Sequence, residues 1–309
     1  MIQGITQITY CTDGTPANWA QARQFYTDWG LQQTEDATDA MSFETLNGAV
    51  VRVLHPDHAD LADCPAMESG ATLREVVWGV KPETTLADMP AACQDPHGLR
   101  QRFVRNTPRA VTVQGSPSNP YGLPPQRVDT PSPVYDRAIP IDIGHVVLFS
   151  DCLAQAEAFY TGLGFVVSDR YPDRGVFLRC APEAGHHHVF LLQLPNKPKG
   201  VNHVAFTVRD IHEVFGGGLA MSRAGWKTQL GPGRHPISSA YFWYFVNPCG
   251  GLIEYNADED HLTTAWQARE FQPSPTAFAE WAVDGGLDGH TRRQPNVEAG
   301  GKFLTEKAK

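Results

Sequence analysis

The strongest constraint on the fold is an internal repeat, because a chain made of two similar halves is expected to form two copies of one architecture. Short segments of the first half recur in the same order in the second half. The matched pairs are residues 5–10 and 143–148, 25–31 and 159–165, 73–80 and 201–208, and 95–98 and 247–250. The length of 309 residues is also typical of about two domains.

A proline-rich stretch lies between the two halves. Residues 108–140 contain eight prolines. Proline fixes φ and has no backbone N–H, so this stretch is predicted to form neither a helix nor a central strand. The predicted organisation is an N-terminal domain of residues 1–107, a linker of residues 108–140, a second domain of residues 141–260 and a tail of residues 261–309.

Each half divides again into two modules. In the second half, a strand, a helix and three strands are predicted over residues 141–195 and again over residues 200–257. The predicted helices are 152–161 and 211–224, and the strands include 175–179, 187–193, 240–246 and 252–256. Most connections within a module are antiparallel hairpins, which indicates an α+β fold of two domains, each built from paired βαβββ modules.

The tail has a different pattern from the two halves. Two short helices are predicted there, at residues 263–269 and 276–282. Beyond them the sequence is polar and rich in glycine, so we expect the end of the chain to fray.

Composition excludes several classes of function. The formal net charge is −9, which disfavours binding to nucleic acid or to an anionic membrane, because both need a basic face. No apolar run approaches the roughly 18–20 residues of a membrane span, and the first residues lack the basic start of a secretory signal. The six cysteines are scattered without a Cys-x-x-Cys pair, which is typical of reduced thiols in a cytoplasmic protein.

Histidines are concentrated in the second half. Seven of the twelve lie between residues 145 and 235. His145 and His203 occupy equivalent places in the first strands of the third and fourth modules, and Glu254 lies between Ile253 and Tyr255 in the last strand. Each histidine alone is more often a hydrogen-bonded core residue, and a lone Glu254 equally suits an edge strand that faces water. The repeat equivalence of the histidines instead favours a metal site, because a buried carboxylate needs a metal or a basic partner.

Two histidines and one carboxylate suit a non-haem Fe(II) ion with open coordination positions. The first half lacks this set: its counterparts are Gln7, Glu75 and Arg102, or Gln101 if the alignment shifts by one residue. Arginine cannot ligate a metal, so one metal ion per chain is predicted, in the second domain.

Residues 231–254 resemble the signature of the type I extradiol ring-cleaving dioxygenases, in the vicinal-oxygen-chelate (glyoxalase/bleomycin resistance/dioxygenase) superfamily. The shared elements are His235, a seven-residue gap that ends before position 243, Tyr244, an Asn-Pro-x-Gly turn and Glu254. Trp243 departs from the aliphatic residue or Phe of the signature, and we expect it to add bulk beside the site. The resemblance is strong over residues 141–257 and extends to residues 1–105 only at the level of the fold.

The resemblance implies a role for each matched residue. His145, His203 and Glu254 would be ligands of Fe(II), although Mn(II) accepts the same set. Tyr244 would bind a substrate oxygen, and His235 would lie near the bound dioxygen.

Two neighbouring residues, His187 and His188, are candidates for the acid–base histidine. The family motif falls on His187, or on His188 if the alignment slips by one residue. Neighbouring strand residues face opposite sides, so one of the two reaches the metal, and we prefer His187. A third interpretation of the His186–His188 run is an exposed polar strand start or an adventitious metal site.

The implied activity is oxidative cleavage of a catechol-type ring with incorporation of both atoms of O2, in a homo-oligomeric enzyme. Two alternatives are a glyoxalase-type isomerase or epimerase of the same superfamily, and a metal-free binding protein of the bleomycin-resistance type. Arg234 is a candidate for binding a substrate carboxylate or for forming a surface salt bridge. The tail, with His261 and Trp266, is a candidate for a lid over the pocket. Candidate aromatic residues of the pocket, each of which also suits the core, are Phe177, Phe190, Phe206, Trp226, Phe242 and Trp243.

Overall fold

The computed structural model of the protein describes residues 1–84, 90–284 and 292–293. Within those ranges, no helix combines the length and the apolar character needed to cross a membrane.

The first half contains one long helix and seven strands in its described residues. Thr15 starts the helix, because its side chain accepts a hydrogen bond from the backbone N–H of Asn18 and Pro16 occupies the first turn. The elements are β1 (Ile2–Cys11), α1 (Pro16–Asp28), β2 (Gln32–Asp36), β3 (Ala40–Glu44), β4 (Val50–Leu54), a short 3-10 helix (Ala59–Leu61), β5 (Thr72–Val80), β6 (Ala92–Gln94) and β7 (Arg100–Arg105).

The second half repeats this order with additional elements at its end. They are β8 (Asp142–Phe149), α2 (Leu153–Gly162), β9 (Val166–Tyr171), β10 (Gly175–Arg179), β11 (Ala184–Gly185), β12 (Val189–Leu192), β13 (Gly200–Thr207), α3 (Ile211–Arg223), β14 (Thr228–Arg234), β15 (Tyr241–Val246), β16 (Leu252–Ala257), β17 (His261–Leu262), β18 (Arg269–Glu270), α4 (Pro275–Phe278), β19 (Trp281–Asp284) and β20 (Arg292–Arg293). The predicted helices at 152–161 and 211–224 are confirmed to within one residue at each end.

The two halves share one strand arrangement. β1 pairs in parallel with β4 and antiparallel with β5, and β8 pairs in parallel with β12 and antiparallel with β13. β5 and β13 then pair in parallel with β7 and β16. The predicted α+β class with paired modules is therefore confirmed.

The halves are also joined by two matched tyrosine contacts. Tyr26 on α1 lies with its hydroxyl 3.2 Å from Asn247 Oδ1 of the second half. Tyr160 on α2 donates to Asp95 Oδ2 of the first half at 2.9 Å. Each helix therefore contacts the Asx-Pro turn of the other half, at positions that the sequence repeat matches.

Residues 106–141 contain no helix or strand, as the proline content predicts. Part of this stretch packs on helix α3, where three consecutive glycines allow a close approach. A Cβ at Gly216 would lie 2.2 Å from the Tyr135 carbonyl oxygen, and one at Gly218 would lie 2.0 Å from the Trp243 ring. The glycines are there because the linker, β15 and β16 leave no room for side chains at these three positions of the helix.

This packing corrects one expectation from the sequence. Trp243 does not add bulk beside the site, because its fully buried side chain faces helix α3. Its neighbour Tyr244 faces the opposite side of β15, as the alternation of side chains along a strand requires.

The predicted helix at 263–269 is wrong. That segment instead ends in β18, which pairs in parallel with β9. Trp266 Nε1 donates to the Ser168 carbonyl, and Arg269 binds Asp169, so contacts with β9 override the local helix preference.

The second predicted tail helix, at 276–282, is only partly correct. Helix α4 covers Pro275–Phe278, and the following residues form β19 along β14. The expected fraying falls on residues 285–291 and 294–309, which lie outside the described residues.

The close packing of α3 predicts that Gly218→Ala destabilises the protein by about 1–3 kcal/mol, because the new methyl group collides with Trp243. Gly162→Ala in α2 is the matched control, since a Cβ there meets nothing within 4 Å. It should leave stability unchanged or raise it by about 0.5–1 kcal/mol. Denaturant unfolding of both variants measures the difference, and equal stabilities would contradict this packing.

Candidate metal centre

Three adjacent strands bring His145, His203 and Glu254 together. Strand β13 carries His203 and lies between β8, which carries His145, and β16, which carries Glu254. Ala205 of β13 is paired with both His145 and Glu254, and His203 lies two residues before it on the same face. The strand register therefore places the three predicted ligands on one side of the sheet.

The ligand atoms form a compact triangle. His145 Nε2 lies 3.2 Å from His203 Nε2 and 3.2 Å from Glu254 Oε2, and His203 Nε2 lies 3.1 Å from the same oxygen. Atoms about 2.1 Å from one ion are about 3.0 Å apart at right angles and about 4.2 Å apart when opposite. All three separations match the right-angle value, so the residues would occupy one face of an octahedron and leave three neighbouring positions open.

The donor set fits a divalent metal ion. Glu254 is fully buried, and its Oε1 has no hydrogen-bond partner among the described residues. His203 Nδ1 lies 2.6 Å from Asn202 Oδ1, which can only accept, so Nδ1 donates and Nε2 keeps the lone pair that a metal needs.

Electrostatics favour the ligand forms of these groups. Burial favours neutral Glu254, but its contacts with the surrounding histidines outweigh burial and hold the pKa of this carboxyl well below its usual range. Burial lowers the pKa of His203, which keeps the imidazole neutral. A carboxylate and neutral imidazoles are the protonation states in which these side chains bind metals.

Tyr244 and His235 form a hydrogen-bonded pair beside the triangle. Tyr244 is opposite Glu254 in the pairing of β15 with β16. The Phe278 carbonyl lies 2.7 Å from His235 Nδ1 and can only accept, so Nδ1 donates and Nε2 accepts from the Tyr244 hydroxyl at 3.0 Å. Burial and the nearby Glu254 carboxylate raise the pKa of Tyr244 well above its ordinary value, so its hydroxyl stays protonated.

The histidine run divides between two sides of the sheet. The His187 ring lies 4.0 Å from that of His145 between centroids, so the structure brings His187 to the group. Burial lowers the pKa of His187 to about 3, and the ring is neutral. The structure does not bring His188 there, because its side chain lines a separate cavity at the junction of the halves, near Gly4.

A cavity of about 270 Å³ opens next to the triangle. Phe177 and Phe190 line it with their rings stacked at 3.8 Å, whereas the other four candidate aromatic residues do not line it. Of the tail, Phe278 lines the cavity in place of the expected His261 and Trp266. The described lining residues include no arginine or lysine, and Arg234 instead pairs with Glu280.

Sequence reasoning missed four residues around this site: Asp169, His186, Glu259 and Phe278. His186 Nε2 lies 2.7 Å from Asp169 Oδ2, and Glu259 Oε1 lies 2.9 Å from His187 Nδ1. The only local signal was that His186 precedes two further histidines in the sequence. The acidic partners Asp169 and Glu259 come from distant segments, and no spacing rule connects them to the histidines.

The corresponding place in the first half is closed by an ion pair. Val77 pairs with both Gln7 and Arg102, as Ala205 does with His145 and Glu254, so Arg102 is the counterpart of Glu254. Arg102 donates to both carboxylate oxygens of Glu75 at 3.0 and 3.1 Å. A guanidinium group therefore lies where the second half gathers ligands.

Residues 142–255 match the model of the Glyoxalase/Bleomycin resistance protein/Dioxygenase superfamily. Metapyrocatechase 2 from Cupriavidus necator is 33% identical over 185 residues, which cover 59% of this chain and 57% of that protein. The chain spans about half the length of the curated relatives it matches.

Solved structures share the whole two-half architecture. A Mn(II)-bound glyoxalase from Novosphingobium aromaticivorans superposes with a TM-score of 0.69 at 21% identity, covering 96% of this chain and 99% of that chain. Homoprotocatechuate 2,3-dioxygenase from Arthrobacter globiformis gives a TM-score of 0.65 at 18% identity, covering 90% and 87%. At these identities the likeness shows the fold alone.

The triangle predicts that Glu254→Gln lowers metal affinity, because the anionic ligand is lost from a buried site. The loss should exceed the roughly 10–100-fold that removal of an outer hydrogen-bonding partner costs. Elemental analysis after Fe(II) loading and gel filtration measures it. Glu75→Gln, at a matched strand position of the first half, should retain wild-type metal content; full occupancy in Glu254→Gln would show that the triangle is not the metal site.

Proposed function

We propose that this protein is an Fe(II)-dependent extradiol dioxygenase that cleaves the ring of a catechol-type substrate and incorporates both atoms of O2. The observation that carries the proposal is the Tyr244–His235 pair beside the triangle of two histidines and one carboxylate. The similarity to metapyrocatechase 2 supports it from the sequence.

An ion held by His145, His203 and Glu254 would supply a positive charge that favours loss of a phenolic proton from a diol. Around it, each side chain has a task that its contacts allow. Tyr244, whose single hydroxyl proton goes to His235 Nε2, accepts a hydrogen bond from a substrate hydroxyl, and neutral His187 accepts the phenolic proton. His235 keeps Tyr244 oriented through its Nε2 atom. Phe177 and Phe190 pack against the aromatic ring and exclude water.

A glyoxalase-type isomerase is the second candidate function. The Mn(II)-bound glyoxalase shares the fold of this chain. Such a reaction has no need of the Tyr244 and His235 pair at this position, so we place it behind ring cleavage. A metal-free binding protein would leave Oε1 of the buried Glu254 without a partner, which disfavours that alternative.

We also propose a division of labour between the halves. Residues 141–260 form the catalytic domain, residues 1–107 form a scaffold domain, and residues 108–140 link them. The Glu75–Arg102 ion pair in the first half supports this division. Residues 261–309 form the tail, in which Phe278 lines the cavity. Iron as the metal, a cytoplasmic location and a homo-oligomeric assembly stay predictions.

Anaerobic loading with Fe(II), followed by catechol and then air, tests the activity. Ring cleavage predicts oxygen uptake together with a new visible absorption band from the ring-opened product. A panel with alkyl-, aryl- and carboxyl-substituted catechols covers the substrate class. Isomerase activity without oxygen uptake would support the second candidate, and inactivity toward the whole panel would contradict ring cleavage.

Separate replacement of the two histidines tests the acid–base assignment. His187→Phe should lower kcat by about 10²–10⁴-fold, the usual contribution of a positioned acid–base group. His188→Phe should stay within a few-fold of the wild type, because that side chain lies in the other cavity. Steady-state oxygen consumption measures both, and an unchanged rate in His187→Phe would refute the assignment.

A further inference from the structure

Glu259 contacts His187 from a segment that the proposed mechanism leaves unused. It follows strand β16, where Asp258 adopts a left-handed conformation with φ of 63°. This turn ends the strand, and Glu259 Oε1 then lies 2.9 Å from His187 Nδ1. His187 itself lies between β11 and β12, outside any regular strand, so its backbone alone does not fix the ring.

His186 approaches the same nitrogen. Its Nδ1 lies 3.2 Å from His187 Nδ1, and its Nε2 lies 2.7 Å from a carboxylate oxygen of Asp169. Since a carboxylate can only accept, His186 donates through Nε2, and its Nδ1 holds a lone pair. Arg269 donates to the same Asp169 at 2.6 Å, which keeps that carboxylate in place.

A hydrogen-bond acceptor, His186 Nδ1, and a carboxylate oxygen of Glu259 therefore converge on one ring nitrogen of His187. A neutral imidazole carries one proton, so the network selects the form with the proton on Nδ1. Nε2 is then the nitrogen with the free lone pair. The ring also lies between His145 and Phe177, whose centroids are 4.0 and 5.2 Å away, which limits its rotation.

Of the two groups, the carboxylate of Glu259 lies closer to Nδ1, at 2.9 Å against 3.2 Å for His186 Nδ1. Among the described residues Glu259 has no lysine or arginine partner, although its side chain also borders the cavity at the junction of the halves. Glu259 therefore borders this cavity while one of its carboxylate oxygens contacts His187.

We propose that Glu259 is the positioning residue of His187: it holds the proton on Nδ1 and leaves the Nε2 lone pair for the substrate. This inference rests on the proposed acid–base role of His187. It assigns Glu259 no contact with substrate or metal. Its effect should therefore fall on kcat and leave KM and metal content unchanged.

Three variants test the proposal. Glu259→Ala removes the oxygen beside Nδ1, Glu259→Gln keeps an oxygen at the same place without the charge, and Glu183→Ala removes an exposed acid that lines a neighbouring cavity. Kinetics with catechol should show kcat lowered about 10–100-fold in Glu259→Ala, as for other partners that orient a functional histidine. Glu259→Gln should recover most of that rate, and Glu183→Ala should match the wild type.

Iron content and melting temperature separate positioning from other roles. Both should stay at the wild-type level in Glu259→Ala while KM changes less than about threefold. Loss of iron in proportion to activity, or failure of Glu259→Gln to recover the rate, would overturn the positioning role. An unchanged kcat in Glu259→Ala would overturn it as well.

A readout without turnover keeps this inference separate from the proposed function. ¹⁵N NMR of the metal-free protein reports which nitrogen of His187 is protonated. The wild type should show the Nδ1-protonated form, and Glu259→Ala should show a mixture of both forms. If no catechol is cleaved but this shift is seen, the enzyme assignment fails and the positioning contact stands; a mixture already present in the wild type would refute the contact.

Discussion

The structure of the second half depends on one buried carboxylate. Glu254 lies fully inside the protein, where an uncompensated charge is costly. Its surroundings provide the compensation: two histidine nitrogens about 3 Å from one oxygen, and a geometry that fits a cation between them. The register of β8, β13 and β16 must be maintained, because a shift of one residue would move a ligand to the other face of the sheet.

The duplicated first half shows a second solution to the same problem. There the buried carboxylate is Glu75, and Arg102 at the place of Glu254 binds it through two hydrogen bonds. Bidentate contacts of this kind stabilise a carboxylate without a metal. The same strand arrangement therefore supports an ion pair in one half and an open ligand face in the other, which accounts for the uneven distribution of histidines along the chain.

Residues that share a strand register could be predicted from the sequence, and those joined by distant contacts could not. His145 and His203 were found because the repeat aligns them, and α2 and α3 because their patterns are local. Trp243 faces α3 because the glycines of that helix leave room for its ring. The first predicted tail helix does not form because Arg269 in that segment binds Asp169. Phe278 and Glu259 reach the site from segments whose approach only the folded chain defines.

The central claim is that the second half binds one metal ion through a single face of three ligands. Anomalous diffraction at the iron edge from crystals of the Fe(II)-loaded protein tests it most directly. The account predicts one peak per chain, about 2.0–2.2 Å from His145, His203 and Glu254, and no peak beside Glu75. A chain without iron at the triangle, or with iron held by other residues, would contradict it.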